Sequence, residues 1–140
     1  MRYLTDASNL TAAQLGGFFV GWPSPPSPAT HLRLLQSSFR AVVALPDDDD
    51  ERVVGFVTAI SDGVLSAYIP LLEVLPAYRH SGVGTELVRR LLGALDALYM
   101  VDVTCDPDVV PFYERLGFVA GTAMMRRQYQ RQSGAPLAGA

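Results

Sequence analysis

The alternation of apolar and polar residues along the chain predicts a single domain built from short strands and helices. Short runs rich in β-branched and apolar residues, bounded by turn residues, predict strands. These span residues 1–5, 39–45, 52–60, 64–74, 98–104, 118–120 and 123–128. The strand at 64–74 is apolar almost throughout, which is typical of burial on both faces. Because proline cannot donate a ladder hydrogen bond, Pro70 predicts a bulge or an end of pairing there.

Apolar residues at helical spacing predict four helices between these strands. The clearest spans residues 85–95, and the residues on its apolar face are Leu87, Val88, Leu91, Leu92 and Leu95. The others span residues 28–38, residues 107–116 and a glycine-weakened stretch from Asn9 or Thr11 to about residue 20. The element order is therefore βααβββαβαββ. Because a helix connects the strands at 64–74 and 98–104, we expect these strands to be parallel neighbours.

Length and composition fit one domain with a buried core. The chain has 140 residues, and neither a repeat nor a linker divides it. We expect residues 1–128 to form this domain and residues 129–140 to be a disordered tail.

Charge argues against several classes of partner. The net charge is −3, and all eleven basic residues are arginine. A slightly acidic chain without a basic stripe is a poor binder of nucleic acid and of anionic membrane surfaces. The start of the chain lacks the apolar core of a signal peptide, and no apolar run reaches the roughly 20 residues of a membrane span. A cytoplasmic location is therefore expected.

Neither disulfides nor a metal ion are expected. Cys105 is the single cysteine, and the two histidines, His31 and His80, lie far apart without ligand-type spacing. The acidic run at 47–51 could bind a cation, but the mutual repulsion of its side chains is more typical of a solvated turn.

A phosphate-binding loop is predicted between the strand at 64–74 and the helix at 85–95. Its sequence is Arg79-His80-Ser81-Gly82-Val83-Gly84-Thr85. A helix N-terminus offers unpaired N–H groups and a partial positive charge, and glycines let the backbone approach an anion. A P-loop would need a lysine, and a dinucleotide-binding loop would need glycine instead of Leu87. The two glycines alone would equally fit an ordinary loop that enters a helix.

Two segments together resemble the GNAT acetyltransferase superfamily. The residues that match its acyl-CoA loop and the lead-in to that loop are Val74, Pro76, Arg79, Gly82 and Gly84. Residues 111–118, Pro-Phe-Tyr-Glu-Arg-Leu-Gly-Phe, are similar to the family's Phe-Tyr-Glu-basic-Leu-Gly-Phe segment. Both occur in the expected order, and the resemblance covers residues 39–128.

The resemblance implies the GNAT fold, an α/β fold with a single mixed, splayed central sheet and helices on both faces. The sheet would open between the strands that end near Val74 and Thr104. The implied activity is transfer of an acetyl group from acetyl-CoA to a primary amine, on a small molecule or peptide, by direct attack in a ternary complex. Family habit also suggests a homodimer through the last strands or their helices. The residues implied to contact acetyl-CoA are Leu72, Val74, Arg79, His80, Ser81, Gly82, Val83, Gly84, Thr85, Asp106, Phe112 and Arg115.

Two residues are candidates for proton transfer. Tyr113 occupies the position of the family's general acid, which protonates the departing CoA thiolate, although it could instead be a packing aromatic. Glu73 lies in a buried strand, where an unpaired carboxylate is costly, so it is a candidate base or amine anchor. Its alternative role is a hydrogen bond to nearby backbone or to Arg79. Asp106 replaces the asparagine of many members and is favoured as a helix cap, and Arg115 could reach a cofactor phosphate or remain a surface residue.

The acceptor pocket is expected near residues 18–28. Trp22 and Tyr68 could form an apolar wall, although most such aromatics are core residues, and Asp102 is a second, weaker candidate base. An acidic chain fits a cationic amine better than an anionic one. Two rival functions stay open: a non-catalytic acyl-CoA sensor or partner subunit of the same fold, and an α/β module for another phosphorylated ligand. Tyr113 argues against the first, and the Leu-Gly-Phe signature argues against the second.

Overall fold

An open sheet of six strands forms the centre of the molecule, with helices packed on both faces. The structure is a computed structural model that describes residues 1–49 and 51–136. The strands are β1 (Arg2–Leu4), β2 (Arg40–Leu45), β3 (Gly55–Ser61), β4 (Ser66–Ile69), β5 (Leu72–Val74) and β6 (Met100–Val103). The helices are α1 (Pro28–Ser37), α2 (Val83–Ala94) and α3 (Val110–Glu114).

The sheet is mixed, as predicted. Its strands follow the order β1-β2-β3-β4-β6, and β5 pairs with β3 beside this path. All pairs are antiparallel except β4 with β6, which are the parallel neighbours that the intervening helix predicted.

The two faces of the sheet carry different layers. On one face, Phe56 of β3 packs against Phe18 and His31 of α1, with ring centroids 5.1 and 4.2 Å away. On the other face, α2 lies so close to β3 that a Cβ atom on Gly55 would come within 3.1 Å of Leu87. Alternation along the strands therefore assigns each side chain to the α1 face or to the α2 face.

Helix α1 begins where its sequence predicts, whereas α2 begins at Val83, two residues before the predicted start at residue 85. Ser27 caps α1 by accepting a 3.1 Å hydrogen bond from the Thr30 amide, with Pro28 in the first turn. The apolar face predicted for α2 is confirmed, since Leu87, Val88 and Leu91 are fully buried.

Three predicted elements are shorter than expected, for local reasons. The helix predicted from residue 9 or 11 to residue 20 is only a 3-10 turn, Ala12–Leu15, because left-handed backbone at Gly17 and Phe19 cannot continue a helix. The strand predicted at 64–74 is divided into β4 and β5 at Pro70, which is the predicted end of pairing. The helix predicted at 107–116 is a 3-10 turn followed by α3, because Pro111 has no N–H to donate.

The last two predicted strands, 118–120 and 123–128, are not formed. Among the described residues, none of the backbone groups of residues 119–127 has a hydrogen-bond partner, and all of these residues are exposed. Extended chain is assigned as a strand only when another strand lies beside it, and none does within the described part of this chain.

The chain beyond residue 128 includes a short turn. Tyr129–Arg131 form a 3-10 turn, and the side-chain oxygen of Gln132 accepts a 3.0 Å hydrogen bond from the Ser24 amide. Residues 137–140 of the predicted disordered tail, and position 50 of the predicted acidic turn, lie outside the described residues. Disorder of the segment 129–140 and the boundary of the domain at 128 stay predictions.

Candidate active site

The sheet opens along the outer edge of β5. Among the described residues, this strand pairs only with β3, from Gly55 opposite Val74 to Val57 opposite Leu72, whereas β6 pairs with β4. Pro70 and Leu71 separate β4 from β5, so that β6 does not continue alongside β5. An unpaired strand edge therefore faces a gap at the place where the sequence predicted a splayed sheet.

A turn with left-handed backbone lies at the end of this gap. Gly82 is the N-cap of α2 with φ +86°, and His80 has φ +60°. The first hydrogen bond of α2 runs from the Glu86 amide to the Gly82 carbonyl at 3.1 Å. The amides of residues 83–85 therefore point out of the helix end without a partner inside the helix. Backbone of this kind forms an anion-binding concavity.

The side chains of the loop brace it. The Arg79 guanidinium donates a 2.9 Å hydrogen bond from Nε to the Val74 carbonyl, and the Ser81 hydroxyl donates one of 2.5 Å to the Tyr78 carbonyl. Arg79 thus connects the loop to the strand edge, and its remaining guanidinium donors lie on an exposed side chain.

Gly82 gives a direct test of the loop. Gly82→Ala places a Cβ in open space but on left-handed backbone, which costs about 1–2 kcal/mol. We expect the free loop of this variant to relax away from the left-handed conformation, which binding must restore, so the Kd for acetyl-CoA, measured by calorimetry, should rise about fivefold, because about 1 kcal/mol corresponds to that factor. Gly93→Ala in the same helix is the matched control and should leave the Kd unchanged while raising the melting temperature. Equal affinity of both variants would contradict the assignment of the loop.

The two sequence signatures meet in space. A Cβ on Gly84 would lie 3.7 Å from Val74 and 3.8 Å from the ring of Phe112, so α3 packs against the start of α2. Asp106 occupies the N-cap position before Pro107, as its sequence suggests, but its side chain makes no capping hydrogen bond. Arg115 is exposed at the end of α3.

Tyr113 is the most buried side chain of α3. It is 6% exposed, and its ring stacks edge-on with Phe112 at 5.0 Å and Phe118 at 5.3 Å. Burial, and then the nearby ionisable Cys105 and Tyr68, raise the pKa of Tyr113 to about 12. Because no described residue hydrogen-bonds to its hydroxyl, the phenol is a protonated donor available to a ligand atom.

Glu73 holds the N-terminal loop. Its two carboxylate oxygens accept hydrogen bonds from the amides of Phe19, at 2.7 Å, and Val20, at 3.1 Å. Phe19 has φ +60°, so the carboxylate stabilises a strained turn. The same carboxylate lines a cavity of about 210 Å³ together with Trp22 and Arg79. The fold thereby places Glu73, the predicted base, next to Trp22, one of the predicted acceptor residues.

Tyr68 and Asp102 lie on the same face of the sheet as Glu73. Phe56 points to the α1 face, and so does Ile60, which lies four residues further along β3. Glu73 is opposite Phe56, and Tyr68 is opposite Ile60. Asp102 is opposite Tyr68, so all three side chains belong to the α1 face. Asp102 lines a second groove of about 480 Å³, which also contains Tyr113. Of the predicted acceptor residues, Tyr68 and Asp102 thus share one face of the sheet, whereas Trp22 lines the cavity of Glu73 and Asp102 lines the groove of Tyr113.

Two residues of this region were not predicted from the sequence. Thr104 forms a 2.5 Å hydrogen bond with the Tyr68 hydroxyl, and Cys105 lines the groove that contains Tyr113. Their place directly after β6, at the carboxyl end where the sheet was predicted to open, was the available signal.

Two further features were searched for in the described ranges. Within residues 1–49 and 51–136, no three His, Cys, Asp or Glu side chains are grouped so that they could hold a metal ion. No helix in this part of the chain has the length and apolar character needed to cross a membrane.

Comparison with known proteins places the chain in one family. A crystal structure of a candidate acetyltransferase from Deinococcus radiodurans R1 is 51% identical, with a TM-score of 0.92, covering 97% of this chain and 94% of that one. The N-acetyltransferase ycf52 of Porphyra purpurea, itself uncharacterised, is 29% identical over 84% of this chain and 70% of its own length. An aminoglycoside acetyltransferase from an uncultured soil sample is 27% identical, with a TM-score of 0.55, over 74% of each chain. The profile of the acetyltransferase (GNAT) family matches residues 7–118, and the protein is therefore a member of the GNAT acetyltransferase family.

Proposed function

We propose that the protein transfers an acetyl group from acetyl-CoA to a primary amine while both substrates are bound. The observation that carries this proposal is the gap beside β5, which has an unpaired strand edge on one side and the amides of residues 83–85 at its end. A pantetheine arm carries amides that could pair with the strand edge, and a pyrophosphate fits a helix N-terminus.

The residues around the gap fit acetyl-CoA without a metal ion. Gly82 leaves open space beside the loop, since a Cβ there would meet nothing within 4 Å, whereas Gly84 lies against Val74 and Phe112. Arg79 adds a permanent positive charge beside the turn. Leu72 and Val74 lie on the strand edge, where the Val74 carbonyl already accepts the hydrogen bond from Arg79, and Phe112 lies next to Gly84.

The chemistry requires two proton movements. The amine nitrogen attacks the thioester carbonyl carbon, a C–N bond forms, the C–S bond breaks, and CoA leaves as a thiolate. An alkylamine with a pKa near 10.4 is about 1 part in 2,000 free base at pH 7, so a base or a desolvating site must help it lose a proton. Tyr113, at the position of the family's general acid, is proposed to donate a hydrogen bond from its phenol to the departing sulfur and so to stabilise the developing thiolate.

The acceptor is proposed to be a cationic amine. Glu73 and Asp102 add two carboxylates to the face that carries Tyr68, and Glu73 shares its cavity with the aromatic surface of Trp22. Opposite charge and an aromatic wall together favour a protonated amine. The aminoglycoside acetyltransferase among the solved relatives makes polycationic aminoglycosides a reasonable first class to test.

Glu73→Gln separates the two roles open to this residue. If Glu73 is the base, the variant should lose at least about tenfold in kcat with little change in the KM of the amine. If Glu73 only holds the turn at Phe19, the loss of one acceptor oxygen should raise the KM of the amine about threefold to tenfold and leave kcat nearly unchanged. We expect the first result. A raised KM with an unchanged kcat would reassign Glu73 as a positioning residue.

A thiol-release assay with acetyl-CoA tests the function as a whole. The amines are polyamines, aminoglycosides, arylalkylamines, amino acids and a lysine peptide, and calorimetry measures acetyl-CoA binding in parallel. Release with one class identifies the acceptor. Tight binding without release from any amine would favour the non-catalytic sensor, and absence of binding would contradict the proposal.

A further inference from the structure

Cys105 carries an exposed thiol that the proposed mechanism does not use. It is a free cysteine, and it lies two residues after the end of β6. This is the end of the sheet at which β6 does not continue alongside β5. Because the sequence contains a single cysteine, any disulfide of Cys105 must be made with a thiol from outside the chain.

The groove that Cys105 lines contains a second polar group, which points to a ligand. Tyr113 lines the same groove of about 480 Å³, and its side chain is only 6% exposed. Its hydroxyl has no hydrogen-bond partner among the described residues, although a buried hydroxyl normally has one. Burial is the main cause that raises the pKa of Tyr113 to about 12, and the nearby Cys105 is the next. If the Tyr113 hydroxyl contacts the sulfur of CoA, that sulfur and the Cys105 thiol lie in one groove.

Helix α3 connects this groove to the cofactor loop. A Cβ on Gly84, at the start of α2, would lie 3.8 Å from the ring of Phe112. The next residue along α3 is Tyr113, which lines the groove. A CoA molecule whose pyrophosphate is bound by residues 79–85 would therefore extend its thiol end past Phe112 towards Cys105.

The charge of the groove favours one kind of disulfide over others. Asp102 and Glu114 are exposed residues of its lining. Glutathione disulfide carries free carboxylates, so these two side chains repel it. CoA carries its negative charge on phosphates, at the opposite end of the molecule from its uncharged thiol. A CoA disulfide bound at the loop would therefore bring an uncharged reactive end into an acidic groove.

We propose, on the basis of the proposed function, that Cys105 is a redox modification site that forms a mixed disulfide with CoA. Cys105 loses its proton to water, and its thiolate attacks the nearer sulfur of a CoA disulfide that is bound in the cofactor site. A bond forms between Sγ and that sulfur, the S–S bond of the CoA disulfide breaks, and the second CoA leaves as a thiolate. The CoA disulfide is the oxidant of this exchange. The attached CoA would occupy the cofactor site and exclude acetyl-CoA until an outside thiol reduces the bond.

Intact-mass spectrometry after incubation with CoA disulfide at pH 8 tests the site. The wild type should gain one CoA per chain, which dithiothreitol removes, and Cys105→Ser should gain none. The rate with CoA disulfide should exceed the rate with glutathione disulfide at least about tenfold, because binding at the loop raises the local concentration of the reactive sulfur. Saturating acetyl-CoA should slow the reaction with CoA disulfide at least about fivefold, because it occupies the same loop.

Loop variants distinguish this reaction from that of an ordinary exposed thiol. Gly82→Ala should slow the reaction with CoA disulfide about fivefold, in step with its weaker affinity for acetyl-CoA, and Gly93→Ala is the matched control that should not slow it. Similar rates with the two disulfides, or a rate that acetyl-CoA does not change, would overturn the proposal, since Cys105 would then react only as an exposed thiol.

Calorimetry with acetyl-CoA on the reduced wild type separates this proposal from the proposed function. Binding of acetyl-CoA without selective attachment of CoA would overturn the mixed disulfide and leave acetyl transfer standing. Absence of acetyl-CoA binding would contradict both.

Discussion

Replacing Tyr113 with phenylalanine is expected to lower kcat at least about tenfold with every accepted amine, while the Kd for acetyl-CoA changes less than about twofold. The substitution removes only the hydroxyl, and the ring contacts with Phe112 and Phe118 persist. Since no described residue bonds to this hydroxyl, its loss leaves no protein group unsatisfied. The effect should therefore appear in turnover and not in folding.

The high pKa of Tyr113 decides how the phenol acts. A phenol with a pKa of about 12 is fully protonated at neutral pH, so the donor is always present. Complete proton transfer to a thiolate whose acid has a pKa near 8.5 would be uphill by about 5 kcal/mol. We therefore expect Tyr113 to stabilise the developing thiolate by a hydrogen bond that strengthens as the C–S bond breaks.

Steady-state kinetics over pH 6–10 provide the check. The pH–rate profiles of the wild type and of Tyr113→Phe should have the same shape at high pH. The reason is that the phenol of Tyr113 does not ionise in this range. Tyr99→Phe is the matched control, at a residue 82% exposed, and should retain full turnover. Undiminished kcat in Tyr113→Phe would remove this residue from the mechanism.

The cofactor side of the site could be predicted because its signals are local. The loop at 79–85 combines a buried strand, two glycines and a helix start within a short stretch, and each part has a physical role that its residue type reveals. The division of the strand at Pro70 could be predicted equally well. A proline has no N–H to donate, so it interrupts the pairing of a strand wherever that strand lies in the sheet.

The acceptor side depends on contacts between distant residues, which no local pattern encodes. Glu73 was recognised as an unusual buried carboxylate, but its partners, the amides of Phe19 and Val20, lie more than fifty residues earlier in the chain. The left-handed backbone of Phe19 is also not predictable, because phenylalanine rarely adopts it. The predicted helix over residues 9–20 was wrong for this reason.

The last two strands show a third kind of limit. The residue pattern of 118–128 is that of strands, yet a strand exists only beside a partner, and no described residue of the same chain is that partner.

His31 should make the fold lose stability as the pH falls from 7 to 5. This side chain is 1% exposed, and its ring lies among Phe18, Phe19 and Phe56 at centroid distances of 4.2–5.1 Å. Neither ring nitrogen has a hydrogen-bond partner among the described residues. Burial lowers the pKa of His31 from 6.5 to about 4, because the apolar cage disfavours the charged imidazolium.

The sign of the effect follows from proton binding. Between pH 6.5 and about 4, the unfolded chain binds a proton at this histidine and the folded chain does not. Unfolding is therefore favoured progressively as the pH falls through this window, and the cost to stability is about 2 kcal/mol between pH 7 and pH 5. The pKa values of the Asp6 and Asp62 carboxyls are held below their usual range by backbone N–H groups, so these two residues stay ionised in this interval.

Denaturant unfolding at pH 7 and pH 5 isolates this contribution when three proteins are compared. The wild type should lose about 2 kcal/mol of unfolding free energy, and His80→Gln, which removes the other histidine, should lose the same amount. His31→Phe should lose less than about 0.5 kcal/mol, because an aromatic ring that cannot take up a proton fills the cage. The larger ring can change the absolute stability by overpacking, so the difference between the two pH values is the relevant quantity. A pH dependence that persists in His31→Phe and vanishes in His80→Gln would show that the exposed loop histidine, and not the buried one, couples protonation to folding.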